Sequence, residues 1–475
     1  MTPPPSNACA TNLQGAGDLE AHDTQRRVFG PVVCTAIVVG NVVGIGVFLT
    51  PGEVARASST NMQFLGFWVL GALVALAGAL VTAELGTLFP RAGGDYVFLR
   101  KAYGQAIAGA WGTLSWFATF SGSAAALAVG AMEVIAETGV VSPLREVIFD
   151  AGLFQVTFAS LGAMALIAIA TLANILSVSF AGRAQLLLTW LPISFLFGLS
   201  IYSLAAPELV AGVGGPQAAP AVGLTIEEAT FSSAFASVFF TYTGWNVLTY
   251  MGGDIRNPRH SLPRGILWGL GITLLLYMLL NLSFLQALTL EGLHGERSPG
   301  TFIARAMLGD TGATVFAMLM LLLIIGGLNV TIMAGSRVGL AMGRQGLISN
   351  RFGRESEHRG TPVFVLVVQA IWCSVLVLTN SFSFLVMSTG SVMLLLSMFT
   401  VGSIFIFRRR GLTAPYRTPG YPWVPLFYVV VGGTILLLGI VDGSTSLISG
   451  VIVFGVIALR LHFKRQPDAR VAVAE

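Results

Sequence analysis

The sequence predicts an all-α polytopic membrane protein of about twelve transmembrane helices. Three observations carry that prediction. Only 10% of the 475 residues are charged, against roughly 25% in soluble globular proteins. Hydrophobic residues make up 55% of the chain, with a mean hydropathy of +0.80. Uncharged apolar windows long enough to cross a bilayer, about 20 residues each, recur from one end of the chain to the other. So few charges cannot clothe a soluble surface, and the apolar excess must face hydrocarbon.

The elements follow in order. Residues 1–27 are polar and Pro-rich, with no apolar run before a cleavage site, and read as a cytoplasmic tail rather than a signal peptide. Uncharged windows then lie between Arg27 and Glu53, Arg56 and Glu84, Lys101 and Glu133, Asp150 and Arg183, and Arg183 and Glu208. Three more run from Glu228 to Asp254, Arg264 to Glu291, and Asp310 to Arg337. The stretch from Arg359 to Arg408 is too long for one span and folds back at Thr379-Asn380-Ser381 to supply two. Arg417 to Asp442 and Asp442 to Arg460 complete the set. The runs lack period-2 alternation, which excludes a β-barrel.

With the N-terminus inside, 22 of the 26 Lys and Arg residues fall on inner segments, leaving Arg56, Arg145, Arg297 and Arg305 outside. That bias puts both termini in the cytoplasm, as expected for a multi-pass protein of the cell membrane. The net charge of +4 is too small and scattered for a nucleic-acid partner. Cys9, Cys34 and Cys373 are far apart and make no metal or disulfide pattern. The five histidines, His22, His260, His294, His358 and His462, all fall in loops or tails, and no HExxH, GxSxG or P-loop occurs. An embedded enzyme, a metal site and a cofactor are therefore not expected. A channel is disfavoured too, since the chain has no selectivity-filter repeat or ring-forming charges. A transporter-derived sensor stays open.

Two spans are unlike the rest. The first contains Gly40-Asn41-Val42-Val43-Gly44-Ile45-Gly46-Val47-Phe48, and the sixth Phe240-Thr241-Tyr242-Thr243-Gly244-Trp245-Asn246. A glycine pair in one transmembrane helix commonly just packs against a neighbour. Here the two weak points lie five spans apart, so the spans run in opposite directions, the layout of inverted repeats with a midplane site. Where span 1 breaks, N–H groups near Gly44-Ile45-Gly46 and a positive dipole end suit a carboxylate. Carbonyls near Val42-Val43 and Phe240-Thr241 suit an ammonium. A zwitterionic α-amino acid carries both groups.

These residues resemble the amino acid–polyamine–organocation transporters, and within them the L-type amino acid transporter branch. Gly44 to Phe48 with Thr50-Pro51 looks like the family's glycine-rich break in helix 1. Ala83-Glu84-Leu85-Gly86 and Gly93-Gly94-Asp95-Tyr96 look like the end of helix 2 and the loop after it. Phe240 to Asn246, Asn257-Pro258 and Leu262-Pro263 match the helix 6 signature and its loop, and Asn329, Ser336-Arg337 and Gly346 look like helix 8 and its exit. The resemblance implies a LeuT-type fold with discontinuous helices 1 and 6. Its five plus five inverted helices would occupy residues 28–205 and 231–407, followed by helices 11–12 at 420–462 and a cytoplasmic tail at 463–475. It implies alternating access for amino acids, with Phe240 as the lid over the substrate, Gly44, Ile45 and Gly46 on the carboxylate, and Gly244 and Trp245 opening the second half of helix 6.

The chain departs from the family at three places. Ile45 stands where the family usually has a small hydroxyl residue, so carboxylate binding would rest on backbone N–H alone. Pro192 falls at about the position of the helix 5 lysine, and the only lysines are Lys101 and Lys464. No cysteine lies in the loop after span 3, so no covalent protein partner is expected.

The expected substrate-binding set is Val43, Gly44, Ile45, Gly46, Phe240, Thr241, Thr243, Gly244 and Trp245. Val43, Ile45, Phe240 and Trp245 surround it without a fixed charge, which favours a neutral or apolar L-amino acid. An amine or polyamine would call for a carboxylate at depth, and none is evident. Glu84 reads as a gate or as a snorkelling or capping carboxylate. Asn329, with Asn281 and Gln369, reads as an interhelical hydrogen bond or a second shell to the site. Asp254 reads as part of a salt-bridge cluster with Arg256 and Arg259.

Overall fold

A computed structural model describes residues 29–44, 46–90, 93–137, 146–150, 155–176, 178–209, 230–296, 298–356, 360–379 and 382–464. The tail at 1–27, Ile45 and the residues after Lys464 lie outside them. The first apolar window begins as α1 (Pro31–Val42), with Pro31 at the first helical position where its missing N–H costs nothing. It stops at Val43, whose φ/ψ of −76°/93° is extended. The chain resumes as α2 (Gly46–Leu49) and α3 (Pro51–Arg56). The second window is the unbroken α4 (Asn61–Leu88), capped by the Thr60 hydroxyl accepting from Gln63 N at 3.2 Å.

A short helix, α5 (Gly94–Tyr103), lies between spans and is flanked by Gly93 and Gly104 at φ of +117° and +90°, where side chains are disfavoured. The third window is α6 (Gln105–Leu114), a π-helical turn (Ser115–Phe120) and α7 (Ser121–Glu137). An antiparallel hairpin of β1 (Val147–Asp150) and β2 (Gln155–Thr157) follows, an addition that the all-α expectation did not contain. Next come α8 (Phe158–Leu176) and α9 (Val178–Ala205).

The sixth window is interrupted like the first: α10 (Phe231–Tyr242) ends, Thr243 is extended at φ/ψ −71°/163°, and α11 (Val247–Tyr250) begins after it. Long helices α12 (Pro258–Gly295) and α13 (Pro299–Arg344) follow, broken near one end at Thr289 and Gly309. The last four are α14 (Val363–Thr379), α15 (Phe382–Arg409), α16 (Trp423–Val441) and α17 (Thr445–Lys464). Among the described residues, nine helices are long and apolar enough to cross a membrane. Three shorter apolar helices, Phe231–Tyr242, Val363–Leu378 and Leu447–His462, occupy the remaining windows. The molecule is a polytopic helical membrane protein.

The broken helices sit inside the bundle. α1 is held chiefly against α12, with α9 and α13 beside it. Gly265 and Gly269, one turn apart on α12, permit the approach, because a Cβ there would lie 2.6 Å from the Cβ atoms of Cys34 and Val38. Close backbone contact through small residues is how transmembrane helices gain dispersion energy when lipid removes the hydrophobic incentive to associate. Large apolar side chains such as Leu187, Trp423 and Val441 point outward and are mostly exposed, as a lipid-facing shell requires.

Candidate functional site

Between the two interruptions lies a cavity with about 100 Å³ accessible to the centre of a water molecule. Gly44 and Gly46 from the first break and Phe240, Thr241, Thr243, Gly244 and Trp245 from the second all line it. Seven of the nine expected binding residues thus converge on one space. Gly46 must be small, since a Cβ there would meet Thr241 Oγ1 at 2.6 Å and the Thr241 Cα at 3.2 Å. Gly244, at φ +108°, supplies a left-handed turn, and a Cβ on it would lie 2.4 Å from Asn41 Nδ2. Val43 does not line the space: it is fully buried, and its N–H still bonds Val39 O at 2.7 Å. The last turn of α1 therefore carries its side chain into the apolar core. Ile45 lies outside the described residues.

The expectation of free carbonyls at both breaks is corrected. The Tyr277 hydroxyl, on the fully buried centre of α12, lies 2.8 Å from Val42 O and 3.1 Å from Thr241 O, so one proton serves both breaks. Asn41 Nδ2 donates to Gly244 O at 3.1 Å, while Asn41 Oδ1 accepts from Thr331 Oγ1 of α13 at 3.4 Å. Backbone removed from water and from its helix must find a partner, and side chains supply part of the answer here. Thr50 and Thr241 hydroxyls, 3.3 Å apart, add a third tie between the two interrupted spans.

The opposite wall was not anticipated. The π-helical turn sets Ser115, Thr119 and Phe120 toward the cavity, and Ser123 follows. An inserted residue of this kind re-aims side chains without ending the helix and is common at functional sites. Asp95 also lines the cavity. Its carboxylate is 2% exposed, and Oδ2 accepts from Asn246 Nδ2 at 2.8 Å and from Tyr250 Oη at 2.9 Å. The expectation of a lining without a carboxylate is therefore overturned: Asp95 lies on a loop in the sequence, but α5 folds it inward to the cavity. Asn41 and Asp95 were visible inside the two glycine motifs. The π turn and Tyr277 left no distinguishing pattern.

Glu84 and Asn329 lie away from the cavity lining. Glu84, 1% exposed, pairs with Arg408 of α15 (Nε–Oε1 2.8 Å, Nη2–Oε2 2.9 Å) and accepts from Thr418 N at 2.7 Å. It is a buried tie between α4, α15 and the segment before α16, not a snorkelling group. Asn329 Oδ1 accepts from Asn174 Nδ2 at 2.8 Å, an interhelical bond between α13 and α8. Asn281 donates to Tyr277 O of its own helix. α9 meets α1 through neutral groups upstream of Pro192: Thr189 Oγ1 donates to Ala36 O at 3.2 Å, and Gln185 Nε2 donates to Thr189 at 3.1 Å.

Contacts on either side of the breaks join the interrupted spans to each other and to their neighbours. On one side Phe29 and Ile255 form a parallel bridge, with Phe29 N to Asp254 O at 3.0 Å and Arg256 N to Phe29 O at 2.9 Å. There Asp254 meets Arg337 of α13 at 3.4 Å, and Glu355 joins Arg337 (3.0 Å) to Arg344 (2.8 Å). The cluster expected around Asp254 thus includes a partner from a distant helix. On the other side Ser237 Oγ donates to Glu53 Oε2 at 2.9 Å, joining α10 to α3.

A cavity of mixed polar and apolar lining between two interrupted helices, inside a lipid-facing bundle, defines a membrane transporter for a small solute. The chain belongs to the amino acid permease family, whose model matches residues 29–459. It is 26% identical over 425 residues to the serine/threonine exchanger SteT of Bacillus subtilis, covering 87% of this chain and 91% of that protein. To the mouse Asc-type amino acid transporter 1 it is 26% identical, covering 90% of this chain and 78% of the relative. The human b(0,+)-type amino acid transporter 1 is 24% identical, over 88% and 84% respectively.

Proposed function

We propose that this permease carries a neutral L-amino acid across the cell membrane by alternating access, with both termini cytoplasmic. The observation that carries this reading is the convergence of the two interrupted spans on one cavity that holds both polar backbone and apolar rings. In this reading the substrate carboxylate faces the N–H groups at Gly44-Ile45-Gly46, and its ammonium faces the oxygen-rich side of the second break, at Thr241 and Thr243. Phe240 covers it, and Trp245 borders the side chain. The fold in this reading is the LeuT type, with residues 28–205 and 231–407 as inverted repeats. Access alternates as the Phe29–Ile255 and Arg337 ties open at the cytoplasmic end and the Glu53–Ser237 tie opens at the other.

The serine, threonine and asparagine groups around the cavity suit small hydroxyl-bearing substrates, and the named specificity of the Bacillus subtilis relative points the same way. Phe239, Phe240 and Trp245 suit apolar ones. An amine permease has one observation in its favour, the Asp95 carboxylate in the lining. Its Oδ2 is engaged by Asn246 and Tyr250, so only Oδ1 would remain for a substrate ammonium.

Purified protein in proteoliposomes, assayed with labelled serine, threonine, alanine, leucine, lysine and putrescine, tests the assignment. Uptake or exchange of the neutral amino acids is expected; exclusive transport of putrescine would overturn it.

A further inference from the structure

We infer that Asp95 is a proton-binding residue of the cavity, whose ionisation sets how firmly the second half of the sixth span is held and hence how tightly an amino acid binds. This rests on the permease reading above and adds a regulation to it.

Asp95 lines the cavity, yet it is 2% exposed. Its two hydrogen bonds both go to the segment just beyond the Gly244 turn: Asn246 and Tyr250, which are themselves joined at 2.9 Å. The other oxygen, Oδ1, is buried without a hydrogen-bond partner. One carboxylate therefore anchors α11 to α5 across the cavity floor and keeps an unsatisfied oxygen there.

Among the described residues, none supplies a counter-charge to that oxygen. The titratable groups that face Asp95 are tyrosines, Tyr250 of α11 and Tyr428 of α16. α6, packed on α5, has no ionisable side chain. The arginines on the other packed helices are committed elsewhere or point away: Arg408 of α15 to Glu84 with Arg409 exposed, and on α13 Arg337 and Arg344 to Glu355 and Arg305 to Asp310. On α5 itself, Lys101 sits over the Phe89 ring and Arg100 acts on Tyr96. An uncompensated carboxylate in a poorly hydrated space favours its neutral form. Burial pushes the Asp95 carboxyl up to about 6, against the opposing hydrogen bonds from Tyr250 and Asn246.

Ionised, Asp95 accepts from Asn246 and Tyr250 together and fixes α11. Protonated, it gains a donor, loses its negative charge and holds those two groups less firmly. Amino acid binding is therefore strongest with the carboxylate ionised and weakens as pH falls through about 6. A substrate-induced shift of half a pKa unit corresponds to roughly a threefold change in affinity.

The test measures binding and uptake of labelled L-serine and L-leucine by the full-length protein from pH 5 to 8. Wild type is expected to lose affinity roughly threefold or more toward pH 5. Asp95→Asn is expected to flatten the profile, whereas a purely structural role would lower affinity equally at every pH. Tyr250→Phe, which removes a bond favouring the carboxylate, is expected to move the midpoint to higher pH. Infrared spectra of the purified protein supply a readout without substrate: a protonated-carboxyl band growing as pH falls through 6 and missing from Asp95→Asn. A wild-type pH profile retained in Asp95→Asn, an unmoved midpoint in Tyr250→Phe, or that band unchanged in Asp95→Asn would each overturn the inference. Absence of uptake at every pH alongside a normal band would count against the permease reading instead.

Discussion

Replacing Tyr277 by Phe removes one hydroxyl and almost no volume, and that hydroxyl stands between both broken helices. It lies 2.8 Å from Val42 O and 3.1 Å from Thr241 O, on a residue with no exposed surface. Its single proton cannot fully serve two carbonyls, so the loss is that of one shared bond, not two. Leaving a buried backbone acceptor without its donor costs about 1–3 kcal/mol. If that cost falls on the arrangement that binds substrate, affinity drops roughly five- to 150-fold, at about 1.4 kcal/mol per decade. If it falls on the bundle as a whole, the melting temperature drops and the dissociation constant holds. Scintillation-proximity binding and thermal unfolding of purified Tyr277→Phe, measured side by side, separate the two. A variant with wild-type affinity and wild-type melting would refute the idea that Tyr277 holds the breaks together.

Gly46→Leu is expected to abolish amino acid binding while leaving membrane insertion intact, because even a Cβ would press on Thr241 backbone at 3.2 Å; undiminished affinity would contradict a site at the first break. Glu84→Ala leaves Arg408 partly buried without its carboxylate and Thr418 N–H without an acceptor. A loss of about 3 kcal/mol or more is expected, read as a lower melting temperature, whereas an unchanged melting temperature would mean the pair contributes nothing. The raised Asp95 pKa has a sign for stability too. The folded protein holds that proton more tightly than the unfolded chain, so this group's contribution is full at low pH and is lost as pH rises through about 6. The melting temperature of wild type relative to Asp95→Asn is therefore expected to rise on acidification from pH 8 to 5; a constant difference would speak against the shift.

The polytopic helical class, the two interruptions and seven residues of the cavity lining were legible in the sequence, because each is a local consequence of composition. Charges are too costly in hydrocarbon to fall inside a span, so they punctuate it. Glycine clusters weaken a helix wherever they stand. Those local rules picked out Gly44, Gly46, Phe240, Thr241, Thr243, Gly244 and Trp245, which line one cavity. They failed at Val43, where the question was the angle at which a helix turn presents a side chain. They also failed at Asp95, whose loop position suggested solvent.

What only the tertiary structure decided is who answers the freed polar groups. Tyr277 reaches Val42 from 235 residues away, Asn41 reaches Gly244 from 203, and Asp95 finds Tyr250 across 155. Nothing in the neighbourhood of any of these residues encodes its partner. A buried hydrogen bond depends on position to within a few tenths of an ångström, and that is fixed by the packing of whole helices. The chain alone determined where it would unwind; the assembled bundle determined which side chains keep the unwound backbone satisfied and which carboxylate is left short of a partner.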